Sequence, residues 1–381
     1  MEKLFHLKEK GTNVRTEIIA GLVTFFTMSY ILVVNPSIIS FDGAIPEIMH
    51  GVFFATCISA AIGTLLMALL GNLPFAQAPG MGLNAFFAFT VMATLGSVAG
   101  VEDPIKQYQM ALALVLVSGI LFIIITLIGL RENIINAIPK NIKIAIGGGI
   151  GIFIAFLGLQ KAGIVVSSGA TLVDLVPFSN IENSKVAIVS IIGLIVIAAL
   201  AALKIKGSIL IGIVVTSILA YATGVAQFTG INLNFAGQVG DWVNTSLFKF
   251  DFVTLFSGGE FFSKLITVIV LVLSFSMVDM FDSIGTFLGT AQQANLLDEN
   301  GNMPSMKKAL LCDSIATAAG ALLGTSTVTT YVESAAGIGE GGRTGLTSLT
   351  TGICFILAIF FAPVILLVPG CAAAPALIYV G

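Results

Sequence analysis

Apolar runs of about twenty residues recur along nearly the whole chain, and no other feature limits its fold so severely. They fall near 15–38, 50–71, 75–97, 108–130, 141–163, 186–203, 208–226, 262–289, 305–323 and 344–369, with a further run starting near 372. As helices, such runs are long enough to cross about 30 Å of hydrocarbon. Composition agrees: 57% of the 381 residues are hydrophobic, 10% are charged and mean hydropathy is +1.05. Soluble domains carry roughly 25% charged residues, so the sequence describes an integral membrane protein and excludes a soluble globular enzyme. The net charge of −3 constrains little. Cys57, Cys312, Cys354 and Cys371 lie in or beside apolar runs without CxxC spacing, as packing thiols do. The opening "MEKLFHLKEKGTNVRTE" is too charged and too long for a signal peptide, and no small-residue cleavage site follows the first run. The first span is therefore expected to stay in the protein.

Charge then sets the orientation. With the N-terminus in the cytoplasm and 325–342 counted as a full crossing, twelve of the seventeen lysines and arginines, from Lys3 to Arg343, fall on the cytoplasmic side. The outside holds Lys106, Lys161, Lys185, Lys249 and Lys264. That is a positive-inside bias, and making 325–342 a non-crossing segment would move Arg343 outside. The chain stops at "PALIYVG", within its twelfth apolar segment, and a truncation there is expected.

Two parts of the chain overlay. "FTMSYI" in the first span matches "FSMVDM" (275–280) in the eighth, "ALLG" (68–71) ends the second span and "ALLG" (321–324) the ninth, and "APGMG" (78–82) in the third matches "AAGIG" (335–339) in the tenth. The offsets are 249, 253 and 257 residues. Seven spans precede the second copy, an odd number, so the copies enter the membrane from opposite sides. Inverted repeats of this kind build secondary transporters, with the site between the copies near the midplane. "TSTVTTYV" favours extended backbone, and "AAGIGEGG" permits a break in regular structure. Its counterpart "LPFAQAPGMGLNAFFAF" carries Pro74 and Pro79, each of which removes a helix hydrogen bond. Irregular backbone at membrane depth survives only where protein buries it or it lines a wet cavity. Spans 3 and 10 are therefore expected to be short extended pieces leading into half-helices.

Four carboxylates lie well inside spans, away from their ends: Asp279 and Asp282 in the eighth, Asp313 in the ninth and Glu333 in the tenth. A charge at the bilayer centre costs about 2.5–3.5 kcal/mol on insertion scales, so such groups face the bundle interior. Asp279 and Asp282 are three apart, on one helix face. Asn84 follows the first broken segment and can both donate and accept. Asp313 lies close to the cytoplasmic Lys307–Lys308 and is assigned to packing. No basic residue stands at the depth of these acids. They suit a proton carrier, and equally a neutral ring rich in N–H donors, whereas an anion would be repelled. "GGGIGIF" (147–153) lacks the strand and acid of a nucleotide-binding loop and is assigned to helix packing; "GGRTG" is no P-loop. His6 and His50 make no metal site, and nothing resembles an ATPase domain, so a gradient must supply the energy. A membrane enzyme would need a nucleophile–base pair or a metal cluster, and neither is visible.

"PGMGLNAFFAF", "SFSMVDMFDSIGTFLG", "GALLGTSTVTTYVESAAGIGEGGRTGL" and the N-terminal "GTNVRTEIIAGLVTFFTMSYILVVNP" closely resemble the nucleobase–cation symporter-2 superfamily, in its AzgA-like hypoxanthine/guanine/adenine permease branch. The resemblance covers essentially the whole chain. It implies an all-α polytopic fold of two inverted repeats of seven spans, with short β-strands in broken spans 3 and 10. After a cytoplasmic segment 1–14, it implies a core domain from 15–130 and 262–369 and a gate domain from 141–226, with 370–381 the start of the gate's second half. Spans 13 and 14 and part of 12 are missing from that pattern. Carried over residue by residue, it places substrate contacts at Glu333, Asp279, Asp282, Asn84 and Gly82. The proton carrier is one of Glu333, Asp279 and Asp282. The implied activity is proton-coupled import of a purine nucleobase, hypoxanthine or guanine first and adenine next, across the cytoplasmic membrane. Its partners are the base, a proton, the lipid bilayer and a second copy in a homodimer; no cofactor, metal or nucleic acid is called for. The rivals are a sodium-coupled or uncoupled nucleobase carrier and an anion transporter of the same fold.

Overall fold

The computed structural model describes residues 2–130, 140–169, 171–179, 181–227, 234–257, 259, 261–296 and 303–381. Arg131, counted above on the cytoplasmic side, lies outside the described residues. Helices occupy the apolar runs, and their ends follow local chemistry. Asn13 starts the first span by accepting a hydrogen bond from Thr16 N at 3.0 Å. Asp103 does the same for Ile105 N ahead of Pro104–Leu127, whose first residue is a proline that has no N–H to leave unsatisfied. Gly100 and Gly324 end their helices with φ of 68° and 104°, the left-handed stop that glycine adopts without strain.

Seven described helices are long and apolar enough to cross a membrane: Val14–Ile39, Pro46–Gly71, Met81–Ala99, Pro104–Leu127, Ser184–Ala202, Phe261–Gln293 and Gly345–Ile365. The chain is thus a multi-pass membrane protein. Met306–Leu323, treated above like any other span, is not among these seven. It is rich in small and polar residues and packs inside, against the second and fourth spans. A Cβ on Gly119 of the fourth span would stand 2.8 Å from Ala318 N. The two backbones meet directly, as small residues allow in membrane bundles.

The strands are β1 (Gln77–Pro79), β2 (Val165–Ser168), β3 (Leu172–Leu175) and β4 (Val328–Thr330). β2 and β3 form an antiparallel hairpin after the fifth span. β1 and β4 pair antiparallel, Gln77 opposite Thr330, Ala78 opposite Thr329 and Pro79 opposite Val328. The pairing extends through Tyr331 N to Ala76 O at 2.9 Å and Gly80 N to Thr327 O at 3.1 Å. Backbone that would otherwise be orphaned within the bundle is satisfied by its counterpart from the other half. The strands fix the repeat register at offsets of 251 for their first residues and 253 for the helices that follow, Met81 and Ser334. "ALLG" matches at 253, so the "APGMG"/"AAGIG" match at 257 is out of register by four residues. Both contain the small residues that tight packing demands, and short small-residue strings match by composition alone.

Contacts between inter-span segments test the crossing count. Lys161 Nζ, at the end of the fifth span, donates to Ser37 Oγ at 3.0 Å and Asp42 Oδ1 at 2.6 Å beyond the first. His50 Nδ1 meets Asp241 Oδ2 at 2.7 Å, and Trp242 Nε1 donates to Leu323 O at 2.8 Å. On the opposite face Lys206 pairs with Glu340, and Asn72 bridges Phe5 O and Gly345 N. Each contact joins segments that the twelve-crossing count puts on one side. Residue 324 belongs to the first face and 340 to the second, so 325–342 crosses. Spans 6 and 7 pack on each other, and span 12 (Gly370–Val380) packs against spans 5, 6 and 7.

Candidate functional site

β1 and β4 cross in the middle of the chain's two halves, and each leads into a short helix. Gly80 precedes the helix beginning at Met81, and Glu333 precedes Ser334–Gly339. The two residues are equivalents in the repeat, separated by 253. A cavity of about 110 Å³ lies against them, lined by Tyr30, Gly80, Met81, Gly82, Ile154, Asp282, Thr286, Thr329, Thr330, Tyr331, Val332, Glu333 and Val380. That is small beside the roughly 300–1,000 Å³ of common ligand pockets and suits one compact molecule. None of these lining residues is basic.

Glu333 is half-buried and accepts a hydrogen bond from Tyr30 Oη at 2.5 Å. Asp282 approaches the other half-helix: a Cβ at Gly80 would stand 3.5 Å from its Oδ2. Each half thus brings a polar side chain of its long first helix to the start of the other half's broken helix. The hydroxyl of Tyr331 crosses between the halves and donates to Pro79 O at 2.5 Å. A cavity of about 400 Å³ shares Val332, Glu333 and Val380 with the first. It is bounded by Gly207, Ser208, Ala335 and Ala336, toward the face where Lys206 meets Glu340. Glu333 therefore borders both the central cavity and the larger one leading to that face.

Of the five predicted contact residues, Glu333, Asp282 and Gly82 line the central cavity. Asp279 lies buried one turn before Asp282 in the same helix and is not among the lining residues. Asn84 is also absent from the lining. Its Oδ1 accepts from Ser326 Oγ and its Nδ2 donates to Pro79 O at 3.4 Å, so it braces the strand crossing from behind. Asp313 was assigned to packing. It accepts from Ser283 Oγ at 2.8 Å and Gln77 Nε2 at 3.4 Å. Those partners reach Thr329 Oγ1 at 3.0 Å and Thr330 Oγ1 at 3.2 Å, so its network touches two cavity-wall threonines.

Sequence reasoning missed Tyr30 and a fifth buried acid, Glu17. The signal for Tyr30 lies in the repeat: at an offset of 252, within the register that the strands and half-helices set, it is the counterpart of Asp282, a polar side chain in both copies, and the "FTMSYI"/"FSMVDM" match at 249 is out of that register. Glu17 stands at the very start of the first apolar run, where an acid reads as part of the charged N-terminal segment. It lies in the first turn of that span, fully buried, and accepts from the backbone N–H groups of Arg343, Thr344 and Thr347 and from both threonine hydroxyls, at 2.6–3.2 Å. It joins the start of span 1 to the start of span 11. Apart from the helix acids being faces of one element, no periodicity marks it.

Two interrupted spans that enter from opposite faces, pair through short strands and enclose a small polar cavity define a secondary transporter. The chain belongs to the xanthine/uracil permease family: the profile described as "Permease family" matches residues 15–381. It is 42% identical over 99% of its length to guanine/hypoxanthine permease PbuO of Bacillus subtilis, covering 82% of that protein. It is 39% identical over 100% of its length to adenine permease AdeP of Escherichia coli, covering 79% of that one. Among solved structures, the transmembrane domain of the cyanobacterial bicarbonate transporter BicA superposes with a TM-score of 0.68 at 16% identity, over 97% of this chain and 88% of that one. That last likeness shows the fold. The protein is a transporter, not an enzyme.

Proposed function

We propose that the protein is a proton-coupled importer of purine nucleobases across the cytoplasmic membrane, with its N-terminus in the cytoplasm. One observation carries the substrate: Asp282 and Glu333 line one small cavity whose lining has no cation. A carboxylate accepts side-by-side bonds from the N1–H and 2-amino groups of guanine, whereas hypoxanthine, without the amino group, offers single ring N–H groups that two separate carboxylates can accept. The same cavity would repel an anion, so the shared fold with a bicarbonate transporter does not extend to its cargo. The relatives named for guanine, hypoxanthine and adenine support the same class of ligand.

In this proposal Gly82 lets the ring approach the third-span backbone, Asn84 and Asp279 hold the crossing and the eighth helix behind it, and a proton resides on Glu333, Asp279 or Asp282. Spans 1–4 and 8–11 are the core, which moves against a gate that includes spans 5–7 and 12. The cavity of about 400 Å³ beside Glu333 is the exit toward the Lys206–Glu340 face, here the cytoplasm. One charge moving down 100 mV releases about 2.3 kcal/mol, against about 1.4 per tenfold gradient, so one proton supports roughly 40-fold accumulation from voltage alone.

Uptake of labelled hypoxanthine, guanine, adenine and uracil by a purine-transport-deficient bacterium, with and without an uncoupler, tests this. Saturable purine uptake that collapses with the uncoupler is expected. Uptake indifferent to the uncoupler would replace the proton by sodium or by no coupling. Absence of purine uptake by a well-expressed protein would overturn the substrate.

A further inference from the structure

We propose that Tyr30 is a positioning residue for the substrate-binding carboxylate: it engages one oxygen of Glu333 and thereby decides which oxygen meets the ligand. The inference rests on the purine-transport reading. Tyr30 stands where the first span is interrupted, between Val14–Met28 and Ile31–Ile39, 303 residues from Glu333 in sequence. Its ring is 1% exposed and belongs to the core cluster that includes Met28, Met81, Ile154 and Tyr331. Val33 N and Val34 N both bond to its carbonyl, at 3.0 Å each, so its backbone is held as well. The hydroxyl is therefore delivered from a fixed wall.

Glu333 is held at its backbone, Ala336 N donating to its carbonyl at 2.9 Å, but its side chain is only half-buried. It precedes a six-residue helix, next to Val332, which is exposed, and it borders two cavities. A glutamate side chain has several staggered rotamers, and the contact with Tyr30 holds it in one that puts Oε1 at 2.5 Å from the phenol. Among the described residues Tyr30 is its side-chain hydrogen-bond partner, at Oε1, and Oε2 is the oxygen left for a ligand N–H. A phenol donates one proton and a carboxylate only accepts, so the contact is charge-assisted and directional. Holding the acceptor in place before the ligand arrives removes an ordering cost from binding.

The test is Tyr30→Phe, which keeps the ring and removes the donor. Initial uptake rates of labelled hypoxanthine and guanine give KM and Vmax per surface-expressed protein, while purified protein gives purine Kd and the ligand-free melting temperature. Positioning predicts KM and Kd raised by up to roughly tenfold, the ordering cost of one side chain that Tyr30 no longer holds, with Vmax unchanged. KM and Kd within about twofold of wild type would overturn the inference. So would a lower melting temperature with unchanged Kd, which would make Tyr30 a structural tie between spans 1 and 10. Wild-type protein that binds no purine would overturn the transport reading itself, whereas wild-type binding with an indifferent Tyr30→Phe overturns only this step.

Discussion

Glu333→Gln is expected to abolish purine uptake while leaving the protein in the membrane. The substitution keeps the side chain's shape but replaces one acceptor oxygen by an NH₂ donor, facing a ligand that itself offers N–H groups. A hydrogen bond to a charged group contributes about 1.5–3 kcal/mol, so losing the ligand N–H bond at Oε2 corresponds to about 10- to 10²-fold in affinity, and the donor NH₂ facing the ligand adds a repulsive contact. The neutral amide also weakens the contact with Tyr30, whose hydroxyl now lies 2.5 Å from the carboxylate. Because Glu333 borders both the central cavity and the larger one beside it, the loss reaches binding and passage alike. Uptake rates normalised to surface protein are the readout. A variant transporting within about threefold of wild type would show that purines do not use this carboxylate.

The second large effect concerns stability rather than substrate. Glu17→Ala leaves three backbone N–H groups and two hydroxyls, those of Arg343, Thr344 and Thr347, without the acceptor they share. A buried donor left unsatisfied costs about 1–3 kcal/mol. The threonine hydroxyls can turn to other acceptors, so the expected net loss is about 3–5 kcal/mol, the size seen when one side of a buried charged contact is removed. Glu17→Gln keeps one oxygen and should lose less. The measurement is the melting temperature of detergent-purified protein, judged by the fraction that remains monodisperse after heating. Glu17 lines neither the central cavity nor the larger one beside it, so the Ala protein that does fold should bind purines with wild-type affinity. An unchanged melting temperature would mean that the joint between spans 1 and 11 carries no stability.

The spans were legible because the bilayer imposes length and apolarity on each segment separately, and the paired interruptions because Pro74, Pro79 and the glycine-rich run after Glu333 mark departures from helix locally. Pairings between residues some 250 apart in the chain carry no local mark. The register of β1 against β4 comes from backbone complementarity, which is why a small-residue match could slip by four residues without any hydrophobic pattern to correct it. Asn84 and Asp279 show a second limit. Polar residues inside a span must point inward, but inward includes both the cavity wall and the bracing behind it, and only the three-dimensional arrangement separates the two. Glu17 shows a third: an acid in a helix's first turn has the same sequence signature whether water or another helix's N-terminus receives it.

The most direct measurement is an experimental structure of the protein with guanine bound. The account predicts ring density between the β1–β4 crossing and the eighth span, with a ring N–H or the amino group within hydrogen-bond reach of Glu333 Oε2 and Tyr30 still on Oε1. Guanine lodged elsewhere in the bundle, or in this cavity but touching neither Glu333 nor Asp282, would contradict it.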